Sequence, residues 1–170
     1  DNGAGTDHGS GGVAFAIGDP VKGGMYVIAQ LSGAILGALL IKVIIPDALE
    51  GGLGSHALGG DISVGVGLAT EMMLTFILVF VIFATAVDPR GPAHLAPLAI
   101  GMAVAVDLFI GVPLTGGSMN PARTVGTAWA AGQWAHHWVY WVGPMGGGAV
   151  AALLFEHVFL RDSGRPQETQ

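Results

Sequence analysis

Four apolar runs, each long enough to cross a bilayer as a helix, dominate this chain and restrict what it can become. They occupy residues 25–45, 62–87, 95–114 and 136–160. A spanning helix needs roughly 20 mostly apolar residues, because each residue advances it by only ~1.5 Å. Polar interruptions are few. The first run holds Gln30, Ser32 and, near one end, Lys42; the second holds Glu71 as its one charge; the third holds Asp107; the fourth holds Glu156 and His157 near its end. A soluble fold would have to hide all four runs behind a polar shell. The chain cannot supply one: charged residues are 11% of its 170, against about 25% in ordinary soluble domains. The expected fold class is therefore all-α, a polytopic transmembrane helical bundle in an integral, multi-pass membrane protein, with one membrane domain over residues 1–160 and a polar tail over 161–170.

Composition excludes several functions. With no cysteine, disulfide frameworks, thiol chemistry and cysteine metal sites are absent. A net charge of −6 offers no basic footprint for nucleic acid. The 29 glycines sit in a chain too apolar for disorder. The sequence starts at Asp1 without a signal-peptide pattern and is expected to be a piece of a longer protein.

Charge also sets an orientation. Lys22, Arg90, Arg161 and Arg165 all fall on one side of four passes, the side that the positive-inside rule makes cytoplasmic. The 46–61 connection has no Lys or Arg and falls outside. Lys42, at an outer helix end, is expected to snorkel. Arg123, inside the moderately apolar segment 115–133, has no explanation in topology.

Two stretches resemble each other. Residues 26–34, Tyr-Val-Ile-Ala-Gln-Leu-Ser-Gly-Ala, parallel residues 140–148, Tyr-Trp-Val-Gly-Pro-Met-Gly-Gly-Gly. Each opens a long apolar run, and each follows a segment too short to span, 13–18 and 123–129. Three crossings between the copies would point them in opposite directions, a pattern of channels and transporters. Chance similarity of glycine-rich apolar stretches is the competing explanation. Gly33 and Gly37 form a small-xxx-small pair suited to close helix packing.

The sharpest signal is Gly116-Gly117-Ser118-Met119-Asn120-Pro121-Ala122-Arg123. Asn120 suits an N-cap and Pro121 a first helical position, where a missing N–H costs nothing. A short helix starting there aims free N–H groups and the positive end of its dipole into the membrane. Gly116 and Gly117 allow a sharp turn that exposes carbonyls. Irregular backbone at such depth survives only where protein buries it or a water-filled cavity adjoins it. An arginine there is a functional-site candidate by default. A surface loop with an ordinary cap would account for Asn-Pro but not for Arg123 between spans.

This segment, followed by Thr124-Val125-Gly126, resembles the second Asn-Pro-Ala loop of the aquaporin, or major intrinsic protein, family. Residues 70–76, 98–101 and 138–144 resemble its fourth, fifth and sixth helices, and the match runs over about 13–160. The resemblance implies six spanning helices, two re-entrant half-helices meeting at mid-membrane, and a homotetramer that passes water in single file, with no cofactor and no metal. It implies roles too. Asn120 donates to passing water, Pro121 and Ala122 complete the motif, Arg123 repels cations at the outer constriction, and the carbonyls of Gly116, Gly117 and Ser118 accept hydrogen bonds. Glu71 is the internal carboxylate that braces loop backbone; a pore-lining titratable group is the other reading. The chain also departs from the pattern. The first two helices have no counterpart before His8, and Ser10-Gly11-Gly12 stands where the first Asn-Pro-Ala is expected. Leu108 stands where water-selective members carry His, and Gly117 is small, so the opening is expected to be wider and greasier. Thr124, Ala128 and the Tyr140-Trp141 pair point to the water branch rather than the glycerol branch.

The expected function is a passive channel for water, and small neutral solutes, in a lipid bilayer. Two alternatives stand beside it: a glycerol or small-solute facilitator, and a fragment that does not conduct alone. A membrane metalloenzyme is disfavoured. His136 and His137 are adjacent, without the i, i+4 spacing that puts two ligands on one helix face, and no nucleophile motif occurs.

Overall fold

The computed structural model describes residues 20–160, and every regular element among them is helical. Helix α1 covers Pro20–Ile44, α2 Val64–Ile82, α3 Ala96–Leu114, α4 Pro121–Ala131 and α5 Val139–Leu154. Single-turn 3-10 helices sit at Asp47–Leu49 and Ala93–Leu95, and π turns extend α2 over Phe83–Val87 and α5 over Phe155–Leu160. Four of these helices are long and apolar enough to cross a membrane, and α4 is not. This is the all-helical, multi-pass architecture that the apolar runs predict. Their edges differ slightly: α1 starts five residues before the run at 25, and α5 starts after the His136-His137 pair.

The apolar helices bury only a narrow face. Phe109 is 85% exposed and Val43 84%. A layer of exposed Leu, Ile, Val and Phe around helical backbone is what a hydrocarbon environment requires, since a helix satisfies most main-chain groups within itself.

Small residues decide the packing. Helices α2 and α5 lie in close contact because Gly143 and Gly147 of α5 carry no Cβ. A Cβ at Gly143 would stand 2.6 Å from the Glu71 Cβ, and one at Gly147 would run into the Met72 carbonyl. Near the π turns the same pair is zipped by aromatic rings, with Phe80 edge-on to Phe155 at 5.5 Å and to Phe159 at 5.7 Å. Asp88 and Arg90 close that end. Arg90 Nη2 donates to Asp88 Oδ2 at 2.7 Å and to the Phe159 carbonyl at 2.8 Å. Helix α3 packs on α2 through Gly111, where a Cβ would stand 2.7 Å from Leu74 Cδ1.

Helix α1 packs chiefly against α4. Its covered residues, Leu31, Ala34, Ile35 and Ala38, recur at one-turn spacing and form a single stripe. Gly126 of α4 seats on Ala34 so closely that a Cβ there would overlap the Ala34 carbonyl. Lys42 does not snorkel freely as expected. Its Nζ donates to the Ala130 carbonyl at 2.7 Å and lies 3.7 Å from Glu50 Oε1. An unsatisfied carbonyl at the negative end of α4 attracts it more than open water does.

Candidate functional site

The site is the turn between α3 and α4. Gly116, Gly117 and Met119 all take left-handed backbone, with φ of 87°, 65° and 53°. Glycine makes two of these free of steric cost, while Met119 bears a penalty of about 1 kcal/mol. The result is a backbone whose N–H groups and carbonyls face opposite partners. The N–H groups go to Glu71 of α2: Ser118 N donates to Oε1 and Met119 N to Oε2, both at 2.9 Å. Thr115 Oγ1 adds a third donor to Oε1 at 2.6 Å. Glu71 is fully buried, so a charged acceptor in low dielectric holds this loop strongly. The Thr115 carbonyl in turn accepts from the Tyr140 hydroxyl of α5 at 2.8 Å. The carbonyls go to Arg123. Its Nη1 donates to the Gly117 carbonyl and, at 3.4 Å, to that of Ser118.

Helix α4 begins as its sequence dictates. Asn120 is the N-cap, and its Oδ1 accepts from Ala122 N at 2.9 Å and Arg123 N at 3.3 Å. Pro121 has no N–H to satisfy. With the carboxamide oxygen committed to the helix, both N–H donors of the Asn120 amide have no partner among the described residues. Asn120 and Arg123 line an open groove of about 390 Å³ between α1 and α4, together with Gln30, Gly33, Gly37 and Thr127. Leu108 of α3 packs against Gly117, where a Cβ would stand 3.0 Å from its Cδ2.

A histidine from the connection between α1 and α2 completes the turn. Gly59 N donates to the Leu114 carbonyl at 2.9 Å, docking that connection on the end of α3. His56 is thereby buried, with its ring 5.4 Å from that of Tyr140 and its Nδ1 3.1 Å from Thr124 Oγ1. Burial above all, then the nearby Arg123 guanidinium and His137, push its pKa down to about 4.

The structure thus brings Glu71, Leu108, Gly116, Gly117, Ser118, Asn120, Pro121, Ala122 and Arg123 into one neighbourhood. His8, Ser10, Gly11 and Gly12, with the segment 13–18, lie outside the described residues, as do Arg161, Arg165 and the tail. The sequence reading gave no site role to Thr115, Thr124, Tyr140 or His56. For Tyr140 the signal was present, as the head of the second repeat copy. For the two threonines none exists, since their partners are 44 and 68 residues away.

A multi-pass helical membrane protein with a glycine-turned loop, an Asn-capped short helix and an arginine folded back on that loop defines a class of membrane channels and transporters. The family model of the major intrinsic proteins matches residues 13–155, and the chain belongs to that family. It is 44% identical to Aquaporin-4 of Mus musculus over 142 residues, 83% of this chain and 44% of that protein. It is 42% identical to Aquaporin TIP4-4 of Zea mays over 144 residues, 84% of this chain and 56% of that protein. It is 45% identical to the probable aquaporin TIP3-2 of Arabidopsis thaliana over 143 residues, 83% and 52% of the two. The chain spans about half the length of these relatives.

Proposed function

We propose that the protein containing this chain is a passive channel for water, working as a homotetramer in a lipid bilayer, and that the groove past Asn120 and Arg123 forms part of its path. The observation that carries the reading is the state of Asn120. Its oxygen is held by two helix N–H groups, so its amide is fixed with only donors to offer. A fixed donor orients a passing water through the water's oxygen, and the positive end of α4 reinforces that orientation. Arg123, tied to two loop carbonyls, keeps a positive charge beside the groove and repels cations. Pro121 and Ala122 start the helix without adding bulk. Remaining lone pairs on the carbonyls of Gly116, Gly117 and Ser118 serve as acceptors.

Glu71 braces this loop rather than lining the path: it is fully buried and accepts from three loop groups. The Leu108–Gly117 contact is apolar and small on one side, which supports passage of small neutral solutes beside water. The test is osmotic swelling of proteoliposomes by stopped-flow light scattering, with a pH dye inside. Fast water flux without proton leak is expected, and Arg123→Val is expected to raise the leak. Flux equal to that of protein-free liposomes contradicts the reading. Leu108→His is expected to slow glycerol-sized solutes more than water, and equal slowing of both would remove Leu108 from the path.

A further inference from the structure

Helix α4 is held at both ends, and the mechanism above uses only the Asn120 end. The last four carbonyls of a helix lack partners within it. Gly132, at φ 72°, turns the chain away from α4. Its N–H and that of Gln133 both donate to the Ala128 carbonyl, at 2.8 and 3.2 Å. Ala130 is buried, and its carbonyl accepts at 2.7 Å from the Nζ of Lys42, 88 residues away on α1.

Lys42 extends the stripe that packs α1 on α4. Ala34, Ala38 and Lys42 recur every four residues on one helix, as Ala122, Gly126 and Ala130 do on the other. Between the two ends the backbones meet where Gly126 seats on Ala34. A Cβ on Gly126 would stand 2.9 Å from the Ala34 Cβ, which makes this contact a fulcrum. At ~1.5 Å per residue, Ala130 lies about 6 Å beyond it and Asn120 about 9 Å before it. A stiff half-helix therefore returns a sideways movement at Ala130 as an opposite and larger movement at Asn120. Arg123 lies on the Asn120 side of the fulcrum and moves with it, together with its bonds to the Gly117 and Ser118 carbonyls.

We propose that Lys42 is a positioning residue for the path. By fastening the outer end of α4 to α1 it fixes the tilt of the half-helix, and so places Asn120 and Arg123 to discriminate water from larger neutral solutes. Its charge suits the negative end of the α4 dipole. Glu50 Oε1, 3.7 Å from Nζ, steadies the side chain only weakly, since both groups are partly exposed. The effect on solutes rests on the proposed water path, whereas the fastening does not.

Two measurements separate them. Lys42→Met keeps the long apolar stem and removes the donor, while Lys42→Arg keeps both donor and charge. Amide hydrogen exchange in detergent is followed at residues 127–131, the end of α4. Lys42→Met is expected to speed it several-fold, Lys42→Arg to leave it near wild type, and the α5 amides to stay protected in both. Proteoliposome swelling then compares glycerol with water. Lys42→Met is expected to raise the glycerol-to-water permeability ratio several-fold, and Lys42→Arg to leave it at the wild-type value. Unchanged exchange in Lys42→Met overturns the fastening. An unchanged ratio in Lys42→Met, with water flux falling only in proportion to the folded protein recovered, makes Lys42 a structural staple and overturns the positioning role. Wild-type flux equal to that of protein-free liposomes defeats the channel reading instead, and exchange still decides the fastening. If Lys42→Met does not fold, Lys42→Gln, neutral and shorter, takes its place.

Discussion

The two copies of the internal repeat meet opposite surroundings. In residues 140–148, Tyr140 is fully buried and hydrogen-bonded, and Gly143 and Gly147 press against α2. In residues 26–34, Tyr26 is 52% exposed, and a Cβ on Gly33, the counterpart of Gly147, would meet nothing within 4 Å. The two sequences carry the same head residue and a glycine at the same later position, yet among the described residues only Gly147 of the pair presses on another helix. The difference teaches where rigidity comes from. The second copy belongs to a network that runs from Tyr140 through Thr115 and Glu71 to the loop before Asn120. The first copy is attached to the site from the other side, through the Ala34–Gly126 contact and the Lys42 bond to α4. One copy holds the loop and the other holds the half-helix.

Perturbations can break or sharpen that contrast. The largest effect is expected at Glu71. Glu71→Ala leaves the N–H groups of Ser118 and Met119 and the Thr115 hydroxyl buried without their acceptor, at about 1–3 kcal/mol each. The loop should lose its shape, and osmotic water flux in proteoliposomes should fall to the lipid background even where folded protein is recovered. Flux near wild type would show that the network is not needed.

Next come the glycines. Gly147→Ala forces α5 away from the Met72 carbonyl, an overpacking cost of about 1–3 kcal/mol. Gly33→Ala meets open space among the described residues. Thermal unfolding in detergent, followed by tryptophan fluorescence, should show a clear drop in Tm for the first and a much smaller change for the second. Equal drops would mean that Gly33 is as closely packed as Gly147.

The smallest effect is expected from the tyrosines. Tyr140→Phe removes one buried hydrogen bond, worth about 1 kcal/mol, and Tyr26→Phe removes none that is buried. The same unfolding assay should separate them in that order. An indistinguishable pair would indicate that the Tyr140–Thr115 bond adds nothing to stability.

Much of this was legible in the sequence because membrane helices advertise themselves through length and apolarity. The α4 start was legible for a local reason: Asn120, Pro121 and the two glycines specify cap, first turn and left-handed backbone within a few residues. Glu71 stood out as a lone charge in a span. The partners that satisfy it did not, since threonine and tyrosine are unremarkable in apolar runs and pair here across more than one helix. Lys42 misled because its position fits snorkelling, and only the fold brings the Ala130 carbonyl to it. His56 received no site role because the connection that carries it has no regular structure from which its docking could be predicted.

The central claim is that the Glu71 carboxylate, buried between helices, holds the backbone of the Asn120 loop. Amide hydrogen exchange at Ser118 and Met119 tests it most directly. In wild type these two N–H groups are expected to exchange as slowly as those inside α2, and in Glu71→Ala to become fast while the α2 amides stay protected. Rapid exchange at both positions in wild type, comparable to Gly54 in the exposed connection, would contradict the account.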